Sequence, residues 1–384
     1  MKEKVLFITL HNLNGNGGGV YATRAYLNTF AQLYNQVSVL YPDNRLPIDS
    51  SVDTRIRLIP FRGKKSKLKR LASLLQGKPN RYSEILDDIL RNNNFDLVVF
   101  DNSRASIGNI KLIKKYEIPF ITIHHNFEYQ YIADNEPLLK RLFQLPRIKC
   151  FEREAIQNSI LNFSLTEDDK ELFNGLFDSS KTLNPIEVIG TYEYKNSDIS
   201  ILPDKSNGST FIITGSLNSP QTFDSLRIWI NEYLPILKKI FSSAKLIIAG
   251  KKPSKELSEL CISNDIELHA NPKQMDILLE KADFYICPTE FGGGMKLRIM
   301  DGLKYGLPVI THHISARGYE KMIDAGVMKS YATPQEFENA LLYFKSNTIS
   351  KEALQKLYVQ IFSFQAGCNR VKHLLETYGL WEKR

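Results

Sequence analysis

The chain has 384 residues, too many for one ordinary domain and enough for two that each bury a core. Apolar residues make up 43% and charged residues 24%, the balance of a folded globular protein, which excludes a disordered chain. Fifty Lys and Arg against forty-two Asp and Glu leave a net charge of +8. That charge attracts polyanions (nucleic acid, acidic lipid, phosphorylated substrates) without choosing among them.

The apolar start at Lys4–Leu10 is too short for a signal peptide and runs straight into a glycine-rich loop. No run of about eighteen apolar residues follows that would span a membrane, so the expected location is the cytoplasm. Lys4–Leu10 reads as a buried strand, followed by a loop and a helix from about Gly19 to Leu33. Val37–Tyr41, Thr54–Pro60, Phe95–Asp101 and Ile118–His124 repeat the strand pattern. Strands alternating with helices in this rhythm predict a parallel sheet covered on both faces. Turn formers gather at 184–209, at Asn184-Pro185, Pro203-Asp204 and Asn207-Gly208, and predict a linker. A second cycle opens at Thr210 with strands at Phe211–Thr214, Lys245–Ala249, Phe284–Cys287 and Leu307–Thr311. Helices are predicted at Gln221–Phe241, at Met295–Tyr305, and from Ser350 to Gly379. The organisation read from this is a first domain over 1–183, a linker over 184–209, a second domain over 210–349, and terminal helices over 350–384. Both domains belong to the α/β class with a doubly wound sheet.

Ligands of such sheets gather in the loops at the carboxyl ends of the strands. Three loops there carry candidate chemistry. Gly17, Gly18 and Gly19 open the first helix and offer free backbone N–H groups to an anion. The spacing is not a clean G-x-G-x-x-G, so a nicotinamide dinucleotide site is disfavoured. His124-His125-Asn126-Phe127-Glu128 ends the Ile118 strand, and His125 with Glu128 can orient a sugar or move a proton. His124 is the alternative should the register slip by one, and one of the two imidazoles is expected to be structural. The third loop runs Glu290-Phe291-Gly292-Gly293-Gly294-Met295-Lys296, with Asp301 five residues on. Its glycines and the helix start suit a diphosphate, and Lys296 can stabilise a departing phosphate as a metal does elsewhere. Asp301 can accept ribose hydroxyls. The four cysteines (Cys150, Cys261, Cys287, Cys368) are far apart and form neither a disulfide framework nor a zinc site.

The segment from Pro288 to Ile310 resembles the signature of the retaining family 4 glycosyltransferases, which have the GT-B fold of two doubly wound domains facing a cleft. The glycine loop after the first strand, His125–Glu128, the restart at Phe211-Ile-Ile-Thr-Gly-Ser and the strand Leu246–Gly250 extend the resemblance over nearly the whole chain. So does Phe362-Ser-Phe, which is similar to the segment that crosses back to the first domain. The resemblance implies a nucleoside-diphosphate sugar held by the second domain and a glycan, glycolipid or protein acceptor held by the first. It implies retention of configuration, no metal or other cofactor, and a role in bacterial surface polysaccharide or glycoconjugate assembly. It places Asp301 where the family holds the ribose, Gly292, Gly293, Gly294 and Met295 at the diphosphate, and His125 near the transferred sugar.

Two departures stand out. The first glutamate of the family's Glu-x7-Glu motif falls here on Gly293, so Glu290 is the candidate replacement. The family's Arg and Lys after the first strand of the second domain are missing from Ser216–Phe223, leaving Lys296 or Lys251 to supply the charge. Alternatives left open are a non-catalytic GT-B partner subunit and a sugar-nucleotide epimerase. Residues 62–81 carry eight basic side chains among leucines at helical spacing. They read equally as a solvated helix face or as a patch for an anionic membrane on the inner face of the cell membrane. Without interleaved aromatics they do not indicate nucleic acid.

Overall fold

The structure, a computed structural model, describes residues 3–15, 17–63, 82–176, 184–197, 208–291 and 294–382. Gly292, Gly293 and most of the basic 62–81 stretch lie outside the described residues. The chain divides into two units, breaking after residue 196 and again after residue 362.

The first unit carries seven strands: β1 (Lys4–Thr9), β2 (Gln36–Pro42), β3 (Arg57–Phe61), β4 (Leu97–Asp101), β5 (Phe120–Ile123), β6 (Leu161–Ser164) and β7 (Ile186–Val188). They pair in parallel in the order β3-β2-β1-β4-β5-β6-β7. Side chains alternate across a strand, so a strand with helices on both sides is apolar throughout. β1 shows this directly: Val5 and Phe7 enter one core with Tyr26 and Phe30, while Leu6 and Ile8 enter another with Leu86 and Phe100.

The second unit repeats the plan with β8 (Thr210–Ser216), β9 (Lys245–Lys251), β10 (Glu267–Ala270), β11 (Phe284–Cys287), β12 (Val309–His312) and β13 (Met328–Tyr331). Their order is β10-β9-β8-β11-β12-β13, again all parallel. In β8, Phe211 and Ile213 face one core and Ile212 the other.

Three boundaries differ from the sequence reading. β7 falls inside the expected 184–209 linker, because Ile186 buries its side chain as the sheet's edge strand pairs with β6. The expected Gln221–Phe241 helix is two, Pro220–Glu232 and Leu234–Ile240, with Pro235 in the first turn of the second. The terminal helices part company at Ser363. Lys351–Phe362 stays with the second unit, where Leu354, Tyr358 and Phe362 enter the core and Lys351 Nζ donates to Ala282 O at 3.0 Å. Phe364–Thr377 returns to the first unit: Phe364, Cys368, Val371 and Leu375 join its core, and Arg370 Nε donates to Ile189 O at 2.7 Å. A Cβ on Gly367 would sit 2.1 Å from the Tyr192 ring, so only glycine lets that helix approach so closely. The four cysteines are free thiols, with Cys287 buried in the second core.

Candidate functional site

In the first sheet the strand order turns between β1 and β4, and ligands of such sheets bind beyond the carboxyl ends of the strands at that turn. Asp101, the last residue of β4, is fully buried there. Its Oδ1 lies 2.6 Å from His125 Nε2, and its Oδ2 accepts from the hydroxyls of Thr9 and Thr23, each at 2.6 Å. His11 Nδ1 lies 2.8 Å from Thr23 Oγ1, so Thr23 bridges this second imidazole to the same carboxylate. The His11 and His125 rings meet edge to face at 5.4 Å. Burial alone would raise the Asp101 carboxyl; the His125 charge and the two histidine contacts outweigh it and hold it well below the usual range. Burial would likewise lower His11, but the Asp101 contact and charge lift it above its ordinary value.

His11, Asp101 and His125 also have ligand atoms within 4.8 Å of one another, the spacing of a metal group. In this arrangement both Asp101 oxygens have protein partners.

The glycine loop closes on the same place. Gly17 is the N-cap of the Gly18–Leu33 helix and makes no side-chain capping bond. A Cβ on Gly19 would come within 2.9 Å of His11 Cε1 and 3.0 Å of Nε2, which is why the helix can begin against that ring.

The paired histidines separate in role. His124 points away from His125's partners, with Nε2 3.1 Å from Asn162 Oδ1 and its ring 4.5 Å from Phe173. Burial holds it down to about 4, so it is a neutral core imidazole. Glu128 is buried; Asn102 Nδ2 donates to its Oε1 at 3.0 Å, and the Arg104 guanidinium pairs with Oε2 at 2.5 Å. Asn102 holds a positive φ of 87° and accepts from Arg104 N, so one strained residue aims both groups at Glu128. Glu152 caps the Glu128–Asn135 helix, accepting from Glu128 N at 2.7 Å and Tyr129 N at 3.2 Å. Burial pushes its carboxyl up to about 8.

In the second sheet the order turns between β8 and β11. A Cβ on Gly215, near the end of β8, would lie 2.7 Å from an Arg298 terminal nitrogen, so the guanidinium rests on bare backbone. Arg298 also approaches Thr289 Oγ1 at 3.4 Å, after β11. Lys296 is drawn down to about 8, first by burial and then by Arg298 and Arg317. Arg298 therefore lies at this switch point, and Lys296 feels its charge and that of Arg317.

The expected Met295–Tyr305 helix is shorter, Arg298–Lys304. Gly294 has a φ of 69°, which favours glycine, and the backbone leaves it through a turn in which Ile299 N donates to Lys296 O. Lys296 thus precedes the helix instead of sitting in its first turn, and Met295 packs its side chain on the core. Asp301 lies in the first helical turn and is exposed. Glu290 is 3.9 Å from His312, and its carboxyl is raised by burial and by Glu232. Lys251, the last residue of β9, is exposed.

Sequence reasoning missed Thr9, His11, Asp101, Asn102 and Arg298. The signal for the first four was present: each follows a buried apolar run as a polar residue at a strand's carboxyl end, the same sign that singled out His125.

Residues 208–347 match the model of a protein family described as glycosyl transferases group 1. That match lies within the second unit. No curated protein matches the chain in sequence. The structure of Anabaena Alr3699/HepE in complex with UDP is similar over 97% of this chain and 100% of its own, at 13% identity and a TM-score of 0.67. Sucrose-phosphate synthase from Thermosynechococcus elongatus is similar over 98% and 99%, at 10% identity and a TM-score of 0.69. The pneumococcal O-GlcNAc transferase GtfA in complex with UDP and GlcNAc is similar over 98% and 99%, at 12% identity and a TM-score of 0.62. At such identities the likeness speaks for the fold, which is GT-B along the whole chain.

Proposed function

We propose that the protein transfers a sugar from a nucleoside-diphosphate sugar to a glycan, glycolipid or protein acceptor. The observation that carries this reading is Arg298 resting on Gly215 at the switch point, with the Lys296 ammonium within reach of its charge, inside the segment that matches the glycosyl transferases group 1 model. In the transfer, the bond between the anomeric carbon and the phosphate oxygen breaks, and its electron pair leaves with the nucleoside diphosphate. The acceptor oxygen forms the new bond and gives up its proton. The barrier lies largely in the charge growing on the diphosphate, and fixed cations stabilise it. Lys296 and Arg298 take that role in our reading, which makes the reaction independent of a metal ion. Arg298 thereby stands in for the basic pair that Ser216–Phe223 lacks.

Asp301 is proposed to hold the ribose, Glu290 the sugar hydroxyls, and His125, fixed by Asp101, the reacting sugar or acceptor. Retention of configuration and a place in surface-glycan assembly follow the resemblance of the Pro288–Ile310 segment. The named solved neighbours include structures with UDP and sugars bound, which makes uridine the first base to test.

The test is a thermal-shift panel of UDP, GDP, ADP and CMP with their sugar nucleotides, all in EDTA. Ligands that bind only the folded state raise the melting temperature by mass action. One nucleoside diphosphate is expected to give a selective shift that Asp301→Ala weakens. A panel without any shift sinks the donor site and leaves a non-catalytic partner subunit.

A further inference from the structure

The helix Leu138–Asn158 in the first unit contains an unusual face. Leu138, Leu139, Leu142 and Phe143 are 70%, 73%, 64% and 76% exposed. Their spacing of one, four and five residues puts them on one contiguous helical stripe. The helix's buried residues, Glu152, Ala155 and Ile156, all lie in its second half. Scattered exposed leucines are ordinary, but four large apolar side chains gathered on one stripe mark a binding surface.

The charge around the stripe chooses the partner. Residues 138–151 contain Lys140, Arg141, Arg147 and Lys149 and no acidic residue. Glu136, just before the stripe, pairs with Lys140 at 2.9 Å, which leaves Arg141, Arg147 and Lys149 as the net charge along it. A stripe of Leu and Phe with that positive excess suits a surface that is apolar within and negative at its rim. An anionic lipid bilayer is such a surface: the apolar face enters the headgroup boundary while Lys and Arg meet the phosphates. Among the described residues no helix is long and apolar enough to span a membrane, so contact of this kind lies in the plane of the interface.

We propose that the Leu138–Phe143 face, with Arg147 and Lys149, docks the protein on an anionic membrane surface. This inference does not rest on the glycosyl-transfer reading.

The experiment is flotation of the full chain with phosphatidylcholine vesicles, with and without phosphatidylglycerol. The variants are Leu142→Asp/Phe143→Asp and Arg147→Glu/Lys149→Glu, all on exposed or half-buried positions, with folding checked by circular dichroism. The wild type is expected to float with the anionic vesicles and not with the neutral ones. The apolar variant is expected to lose binding about tenfold or more, and the charge variant to lose it most at low salt. No flotation of the wild type with anionic vesicles overturns the proposal. So does flotation that both variants leave unchanged, which would move the contact to another element such as the basic 62–81 stretch. A lipid-independent dimer that only the apolar variant dissolves would assign the stripe to a second copy of the chain and overturn it as well.

Discussion

Lys296 offers a proton count. Its ammonium is drawn down to about 8, by burial first and then by Arg298 and Arg317. A lysine with that value is neutral in about a tenth of free molecules near pH 7 and in about half near pH 8. A bound diphosphate places negative charge against it and favours the protonated form. A return of about two units leaves Lys296 fully charged in the complex. Binding of a nucleoside diphosphate should then take up about half a proton near pH 8 and about a tenth near pH 7. Because the complex holds the extra proton, affinity falls as pH rises through about 8. The nucleotide's terminal phosphate, with its second ionisation near 6, contributes little near pH 8. Calorimetry in two buffers of different ionisation enthalpy reads the uptake directly. Lys296→Arg keeps the charge but cannot titrate, so binding should persist while the uptake disappears. Binding without uptake in the wild type near pH 8, or equal uptake in the arginine variant, refutes the placement of Lys296 against the diphosphate.

Other outcomes follow from the first unit. Asp101→Asn turns one acceptor into a donor facing His125 or a threonine hydroxyl, and should cost about 2–4 kcal/mol in a denaturant melt; an unchanged midpoint would show that the cluster is not held by the carboxylate. Glu152 has a carboxyl raised from 4.5 to about 8, so the folded state keeps its proton longer than the unfolded one. Stability should therefore fall as pH rises between those values, and Glu152→Gln should flatten that slope in pH-resolved melting; an equal slope in both proteins removes Glu152 as its source. Gly367→Ala drives a methyl into the Tyr192 ring and should cost about 1–3 kcal/mol, read as a lower melting temperature. A neutral result would mean that the helix can shift away without loss.

Periodicity carries the fold well because parallel strands buried on both faces are apolar from end to end, as Val5–Ile8 and Phe211–Ile213 are. The short edge strands β7 and β13 were not legible, since only three and four residues of each pair and β13 is half polar. The split at Ser363 was equally hidden. The two terminal helices have similar amphipathic patterns, and only the cores that receive Tyr358 and Cys368 tell them apart.

The sequence alone determined which loops follow a strand and open a helix, because chain order dictates it. It singled out His125, Glu128, Lys296 and Asp301 on that basis. Tertiary structure decided the partners. Thr9, His11, Thr23, Asp101 and His125 span more than a hundred positions, and only the parallel pairing of β1 with β4 and β4 with β5 brings them around one carboxylate. Arg298 reaches Gly215 for the same reason, across the pairing of β8 with β11. Local propensity sets where a strand ends; which strand lies beside it is set by burial of both faces, a property of the whole chain that no window of residues contains.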